Sequence, residues 1–275
     1  MDRPDESQWW HNLALEISGL YAFRSKRAFP RHSHDYSVVA VVDYGAHSFL
    51  FRGSRYYTPV DGLILLNPDE AHTCDPEGEV GFEYRTFYPT EAHMTQVAAE
   101  VGASGSCLPR FVTPRVDDLR MAQRVRSLIS LLRTGDASLA AESALVTTLV
   151  MLMQRYGGLR WNERAASGEH SAIRKAREYI DGHFDQGVTL TDVAEHVHFS
   201  RYYFLRAFRQ ATGMPPHQYL DSVRVRHAQK LLGRGEPLAD VALRSGFGSQ
   251  SHFTQRFKQI IGVTPGVYAR ELQAG

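Results

Sequence analysis

The chain has 275 residues, 22% of them charged and 43% hydrophobic, which excludes the disordered, collagen-like and membrane-embedded classes and leaves room for two ordinary domains. Lys and Arg number 31 against 30 Asp and Glu, but the net charge of +1 hides an uneven split. Residues 171–275 hold 14 basic against 9 acidic side chains, a net of +5, which leaves residues 1–170 at −4, with 17 against 21.

The N-terminus, Met1-Asp2-Arg3-Pro4-Asp5-Glu6, leads into no apolar stretch and argues against a secretory signal. Cys74 and Cys107 are too few for a disulfide framework and have no CxxC spacing for zinc, so both are expected as free thiols of a reducing compartment. The longest strongly apolar segment, residues 144–153, has about half the length a bilayer span needs. The expectation is a cytoplasmic chain with no membrane partner.

Residues 28–89 are rich in Val, Tyr, Phe and Thr and are interrupted by turn residues: Asp43-Tyr44-Gly45, Arg52-Gly53-Ser54, Val60-Asp61-Gly62, Asn67-Pro68-Asp69 and Pro76-Glu77-Gly78. Short strands with regular turns predict an antiparallel sandwich or barrel. The best strands are 36–42, 47–51, 63–66 and 81–87, and their apolar character on both faces fits a barrel wall covered by other elements.

His32-Ser33-His34 leads into the strand that begins at Tyr36. Alternate residues of a strand share a side, so both imidazoles can face one interior, and His72 can join them. Neutral imidazole binds zinc, iron or nickel, which makes His32, His34 and His72 the candidate metal set. Strand phase and polarity select His32, His34, Tyr36, Glu70, His72, Tyr84 and Arg85 as lining for a small-molecule pocket, one suited to a polar or anionic metabolite. Tyr84 and Arg85 point to opposite faces, so only one of them can belong.

Residues 117–132 carry apolar side chains at Leu119, Ala122, Val125, Leu128, Ile129 and Leu132, a helical spacing, and residues 139–156 repeat it with a broader apolar surface. The second helix is either buried in its own domain or covered by another subunit. The pair, within residues 117–156, is the expected homodimer contact. Residues 158–170 are poor in apolar side chains and have the composition of a linker.

From residue 171 onwards the pattern is helical, with an apolar stripe at Ile173, Ala176, Ile180 and Phe184. This part repeats itself. At an offset of 48, Leu190, Val193, Ala194 and Phe199 meet Leu238, Val241, Ala242 and Phe247. At 49, Phe204, Phe208, Arg209, Gly213, Pro216 and Tyr219 meet Phe253, Phe257, Lys258, Gly262, Pro265 and Tyr268. Each copy reads as a short helix, a turn and a second helix behind a capping hydroxyl: 191–197 then 200–211, and 238–245 then 249–260.

That is a helix-turn-helix written twice, and such a unit lays the start of its second helix against base edges of the DNA major groove. With Phe204, Phe208, Phe253 and Phe257 assigned to the core, Ser200, Arg201, Tyr202 and Arg206 face outwards in the first copy, and Ser249, Gln250, Ser251, His252 and Gln255 in the second. Arginine grips guanine and glutamine grips adenine bidentately. Arg209, Arg256 and Lys258 suit phosphates, which fix position without reading sequence. The competing interpretation is a generic helical bundle with a solvated polar face.

Residues 173–270 resemble the DNA-binding domain of the AraC/XylS transcriptional regulators. The resemblance rests on Leu190-Thr191-Asp192-Val193-Ala194, Phe199-Ser200, Phe204 with Arg206 and Phe208, Gly213, Pro216 with Tyr219, Arg224 with Ala228 and Leu231-Leu232. Above all it rests on Gly246-Phe247-Gly248-Ser249-Gln250-Ser251-His252-Phe253, ahead of Arg256-Phe257-Lys258 and Gly262-Val263-Thr264-Pro265. It implies two helix-turn-helix units bridged by a long helix over 216–232, with recognition helices in successive major grooves. Leu205 and Gln255 stand where such regulators vary, so no operator sequence follows.

The histidine region is similar to the cupin-type sensory domain of AraC-like regulators, with a basic-His-x-His entry, Arg52-Gly53, and Asn67-Pro68 ahead of Glu70 and His72. It departs from metal-binding cupin enzymes. The acidic ligand position falls on Val38 or Val39, and the interval from Pro68 to His72 is short. No catalytic residue, metal or other cofactor is therefore expected; the histidines are read as hydrogen-bonding to a small ligand or to backbone, or as structural.

The fold class implied is a multidomain α+β chain. A cupin-like antiparallel β-barrel followed by two helices spans 1–157, a linker spans 158–170, and an all-α double helix-turn-helix domain spans 171–275. The function implied is a non-enzymatic, sequence-specific regulator of transcription controlled by a small-molecule effector in the barrel. Its partners are a double-stranded DNA operator, a second copy of the chain and, for an activator, RNA polymerase. The alternatives are a cupin-type metalloenzyme and a regulator controlled by a protein partner.

Overall fold

The computed structural model describes residues 6–26, 28–77, 81–100, 109–135, 138–158, 169–261 and 263–274. Cys107, most of the linker expected at 158–170 and Gly262 of the repeat lie outside them. The chain divides into two compact units, residues 1–137 with 144–163, and residues 138–143 with 164–275.

The first unit opens with a hairpin of β1 (Glu6–Asn12) and β2 (Ile17–Ser25), paired from Glu6↔Phe23 to Asn12↔Ile17. Then come β3 (Phe29–His32), β4 (Val38–Tyr44), β5 (Ala46–Phe51), β6 (Ser54–Pro59), β7 (Gly62–Leu66), β8 (His72–Pro76) and β9 (Phe82–Tyr88). After α1 (Glu91–Glu100) and β10 (Arg115–Asp117) follow α2 (Leu119–Leu132) and α3 (Leu139–Tyr156), the last beginning in the residues grouped with the second unit.

The strands form two antiparallel sheets, β1-β2-β9-β4-β7-β10 and β3-β8-β5-β6. The expected cupin-like antiparallel domain is present as a pair of sheets: among the described residues the end strands β1, β10, β3 and β6 each have a neighbour on one side, and no ring closes. The β5–β6 hairpin turns on Arg52 (φ 47) and Gly53 (φ 82) between the paired Phe51 and Ser54. Two consecutive left-handed residues define the tight turn that matches strand twist, and glycine takes that conformation without a Cβ clash.

The six-stranded sheet is apolar on both faces because both are covered. Val38 and Ala40, Ile64 and Leu66, and Tyr84, Thr86 and Tyr88 face the space shared with the other sheet. Their alternates Val39, Val41, Leu63, Leu65 and Phe87 are buried on the opposite face, where α2 packs on β4, β7 and β9. Asp118 caps α2 by accepting the Met121 N–H at 2.9 Å, and the helix buries Met121, Ala122, Val125, Leu128, Ile129 and Leu132. The side chain of α3 is buried at Leu139, Ala141, Leu145, Val146, Leu149, Val150, Leu152 and Met153 within a single chain, so its broad apolar surface needs no second subunit to cover it.

The second unit consists of α4 (Glu169–Gly182), α5 (Leu190–His196), α6 (Arg201–Thr212), α7 (Pro216–Leu232), α8 (Leu238–Arg244), α9 (Gln250–Ile261) and α10 (Pro265–Ala274). The bridging helix has the bounds expected of it. Pro216 occupies its first turn, where the missing N–H costs nothing. Arg224 on α7 donates to the Phe184 carbonyl at 2.7 Å and the Gln186 carbonyl at 3.0 Å, while its guanidinium lies 5.8 Å from the Phe247 ring, so one side chain ties the loop after α4 to the second copy.

Candidate nucleic-acid interface and ligand cavity

The two helix-turn-helix copies superimpose in their local chemistry. In the first, the N–H groups of His198 and Phe199 donate to the Glu195 and Ala194 carbonyls; in the second, Gly246 and Phe247 donate to Leu243 and Ala242. Both turns pass through a left-handed residue, His198 (φ 56) and Gly246 (φ 79). Ser200 then accepts the Tyr203 N–H at 3.3 Å, and Ser249 accepts the His252 N–H at 3.1 Å, capping α6 and α9. Ser200 and Ser249, expected among the DNA-facing residues, thus spend one acceptor site on their own helix.

The polar faces differ. On α9, Gln250, Ser251, Gln255 and Lys258 are exposed and His252 is half-buried. Arg256 is tied down: Nε lies 3.2 Å from the Asp221 carboxylate on α7, and Nη1 donates to Gln259 at 3.0 Å. On α6, Arg209 is exposed, but Arg201, Tyr202 and Arg206 are half-buried and Leu205 is buried. The Arg201 side chain is 19% exposed and lies 3.7 Å from Glu142, whose carboxylate also accepts from the Leu190 N–H and the Thr191 hydroxyl, each at 2.7 Å. Arg206 lies 5.4 Å from the Tyr203 ring, and the Tyr203 hydroxyl donates to Glu169 at 2.6 Å.

In the first unit the two sheets flank a half-open cavity of about 290 Å³. Ladder register builds one end of it: His32, closing β3, pairs directly with His72, opening β8, and His34 follows two residues on. The imidazole centroids are 4.5 Å apart for His32 and His72, 4.8 Å for His32 and His34, and 5.4 Å for His34 and His72. Nδ1 of His32 lies 2.7 Å from the Pro30 carbonyl and Nδ1 of His72 lies 2.9 Å from the Glu70 carbonyl. A carbonyl only accepts, so each Nδ1 carries a proton and a neutral ring would hold its lone pair at Nε2. Burial, reinforced by His32 and His72, pushes His34 down to about 4, and burial lowers His72 as well; both are uncharged imidazole at neutral pH.

Five of the seven expected lining residues, His32, His34, Tyr36, His72 and Tyr84, border this cavity. Glu70 and Arg85 do not. The Glu70 carboxylate accepts from the backbone and side-chain N–H groups of Asn67 at 3.0 Å and from Arg52 at 2.9 Å. Arg85 lies on the face towards α2, bonded to Asp43, with Arg126 meeting the same carboxylate at 2.6 Å and Asp61 at 2.6 Å. Among the described residues no Lys or Arg lines the cavity, and beside the histidines the wall is aromatic and aliphatic: Trp9, Leu20, Phe29, Val38, Ala40, Phe49, Ile64, Leu66 and Tyr88.

Sequence reasoning missed these wall residues and the pair His47 and Cys74. The signal was present in the alternation, since Tyr88 shares a face with Tyr84, Phe49 with His47, and Ala40 with Val38. His47 Nε2 and Cys74 Sγ lie 2.8 Å apart. Burial pushes the thiol up to about 12 and His47 down to about 4, so the thiol stays protonated and the cysteine is inert as a nucleophile.

A two-sheet domain with a cavity between its sheets, followed by a duplicated, capped helix-turn-helix, is the build of a transcription regulator with a sensory half. Residues 15–150 match the family model described as AraC-like ligand binding domain, and residues 193–271 match the helix-turn-helix domain model. The chain is 27% identical over 236 residues to YbfI, an uncharacterized HTH-type transcriptional regulator of Bacillus subtilis (strain 168), with 85% of each chain covered. It is 23% identical over 249 residues to RhaS, an HTH-type transcriptional activator of Salmonella heidelberg (strain SL476), with 86% of each covered. Among solved structures, the C-terminal domain of AraT, a response regulator from Geobacillus stearothermophilus, is 35% identical, over 36% of this chain and 84% of that one, at a TM-score of 0.35. The chain belongs to the AraC family of transcriptional regulators: it is a DNA-binding regulator with an N-terminal ligand-binding domain, and not an enzyme. No helix among the described residues is long and apolar enough to cross a membrane.

Proposed function

We propose that this regulator binds a specific operator through α6 and α9 and that a small molecule held between the two sheets controls it. The observation that carries the DNA-binding part is the duplication of turn, cap and aromatic core, because it presents two recognition helices built alike. The effector is a largely apolar or aromatic molecule with a polar end at the histidines, a class that fits a wall of Trp, Phe and Tyr with no Lys or Arg among the described residues. Its binding acts through a difference in affinity between two states of the protein.

Residues 171–275 are taken as the DNA-binding domain, 1–157 as the sensory and dimerisation domain, and 158–170 as the linker. A homodimer through residues 117–156 would use the outward face of α2, with Leu119, Arg120, Gln123, Arg124 and Ser127, since α3 is already buried. The relative described as an activator supports activation, and an activator in the cytoplasm would have RNA polymerase as a further partner.

Selection of duplexes from a random pool tests the DNA reading. Two enriched half-sites about one helical turn apart are expected; enrichment of no motif would overturn it. A thermal-shift screen of metabolites on chelator-treated protein tests the effector, and a hit must also change operator affinity.

A further inference from the structure

We infer that His32, His34 and His72 form a binding site for a late first-row divalent cation of the zinc, cobalt and nickel class. One nitrogen from each of the three side chains lies within 4.8 Å of the other two. Nδ1 of both His32 and His72 is held by a backbone carbonyl, at 2.7 and 2.9 Å. This is the outer-shell arrangement that orients metal-binding imidazoles, because it fixes the ring and leaves Nε2 as the donor. The His34 imidazole stacks on Tyr36 at 4.8 Å with an interplanar angle of 16° and has no hydrogen-bond partner among the described residues, so its nitrogens are available.

The fit is close. An ion with bonds of about 2.0–2.1 Å asks for nitrogens roughly 3.3 Å apart in a tetrahedron, which small side-chain rotations supply from the observed spacing. Two of the ligands are set by the sheet itself, since His32 and His72 are cross-strand partners. The donors are imidazoles alone. Such a set favours zinc, cobalt or nickel over magnesium or calcium, which demand oxygen. Three protein ligands leave coordination positions open, and the site borders the cavity. The ion would add a fixed positive charge to that lining and would anchor an anionic donor.

This inference stands whether or not an organic effector is found. The test uses the full chain, purified without a histidine tag, stripped with a chelator and titrated with cobalt(II). Visible ligand-field bands that saturate near one cobalt per chain, and that zinc(II) displaces, are expected. His34→Gln and His72→Gln should each weaken cobalt binding by more than about tenfold, while His11→Gln, altering a histidine bonded to Ser18 on β1, should leave it unchanged. Circular dichroism verifies folding, and His34→Gln, at a half-buried site, decides the matter if His72→Gln unfolds. Absence of the bands, binding that does not saturate, or binding undiminished in a folded His34→Gln would overturn the metal site. None of these outcomes touches the effector screen, which is run on metal-free protein.

Discussion

The two helix-turn-helix copies share a core and differ on their surfaces. In the first, Phe204 meets Phe208 at 5.4 Å and Phe208 meets Tyr219 at 5.5 Å, with interplanar angles of 64° and 71°. In the second, Phe253 meets Phe257 at 5.6 Å and Phe257 meets Tyr268 at 5.3 Å, at 73° and 67°. Edge-to-face packing of this kind has narrow geometric requirements, so the aromatic triad repeats nearly unchanged. The recognition faces have no such constraint. Glutamine and serine stand exposed on α9, whereas the arginines near the start of α6 are drawn into contacts with Glu142 and Tyr203. A shared core with divergent faces is what a protein needs to read two different half-sites with one backbone.

The comparison can be broken at its core. Phe208→Ala and Phe257→Ala should each cost about 3–5 kcal/mol, with values close to one another. Urea unfolding of the full chain followed by far-ultraviolet circular dichroism measures them. A large asymmetry would mean that the copies are alike in geometry but not in stability.

The turns provide a second test. A Cβ on Gly246 would sit 2.5 Å from the Phe184 carbonyl oxygen and 2.7 Å from the Asp185 Cα, at a positive φ, so Gly246→Ala should lose about 2–3 kcal/mol. His198 occupies the equivalent left-handed position as a residue with a Cβ. The two turns therefore tolerate side chains differently, although their hydrogen bonds match.

The recognition faces should separate base readers from phosphate contacts. Gln250→Ala should remove about 1–3 kcal/mol of discrimination at one base pair. Lys258→Ala should weaken operator and random DNA alike and lower the salt slope by about 1. Anisotropy titrations at several salt concentrations distinguish the two, and equal loss from both variants on random DNA would erase the assignment of α9 as the sequence reader. The smallest expected effect is a gain: His198→Gly relieves the left-handed strain and should stabilise the fold by about 0.5–1 kcal/mol in thermal unfolding, net of the added chain entropy.

Legibility followed the range of the interactions. The bounds of α3 and α7 coincide with the expected 139–156 and 216–232, and α2, α5, α6, α8 and α9 lie within two residues of expectation, because helical period, serine and aspartate caps and proline are local signals. Strands β4, β5, β7 and β9 were legible for the same reason. The hairpin β1–β2 was not, since a strand's identity is settled by the partner that pairs with it, and neither polar β3 nor polar β8 announces itself by alternation. In the cavity, Tyr84 and Arg85 illustrate the same limit: alternation says that they part company, and only the packing of α2 says which one faces out.

The sequence by itself determined the duplicated helix-turn-helix, its caps and its core phenylalanines, because each rests on spacing within a short stretch of chain. It also determined that His32 and His34 share a side. Only the tertiary structure decided that His72 lies opposite His32, that Glu70 turns towards Arg52 and Asn67, and that α9 presents Gln250, Ser251 and Gln255 while α6 holds Arg201 and Arg206 close. These outcomes depend on which distant segment meets a residue. Register and burial, which no local pattern encodes, select among the partners that chemistry permits.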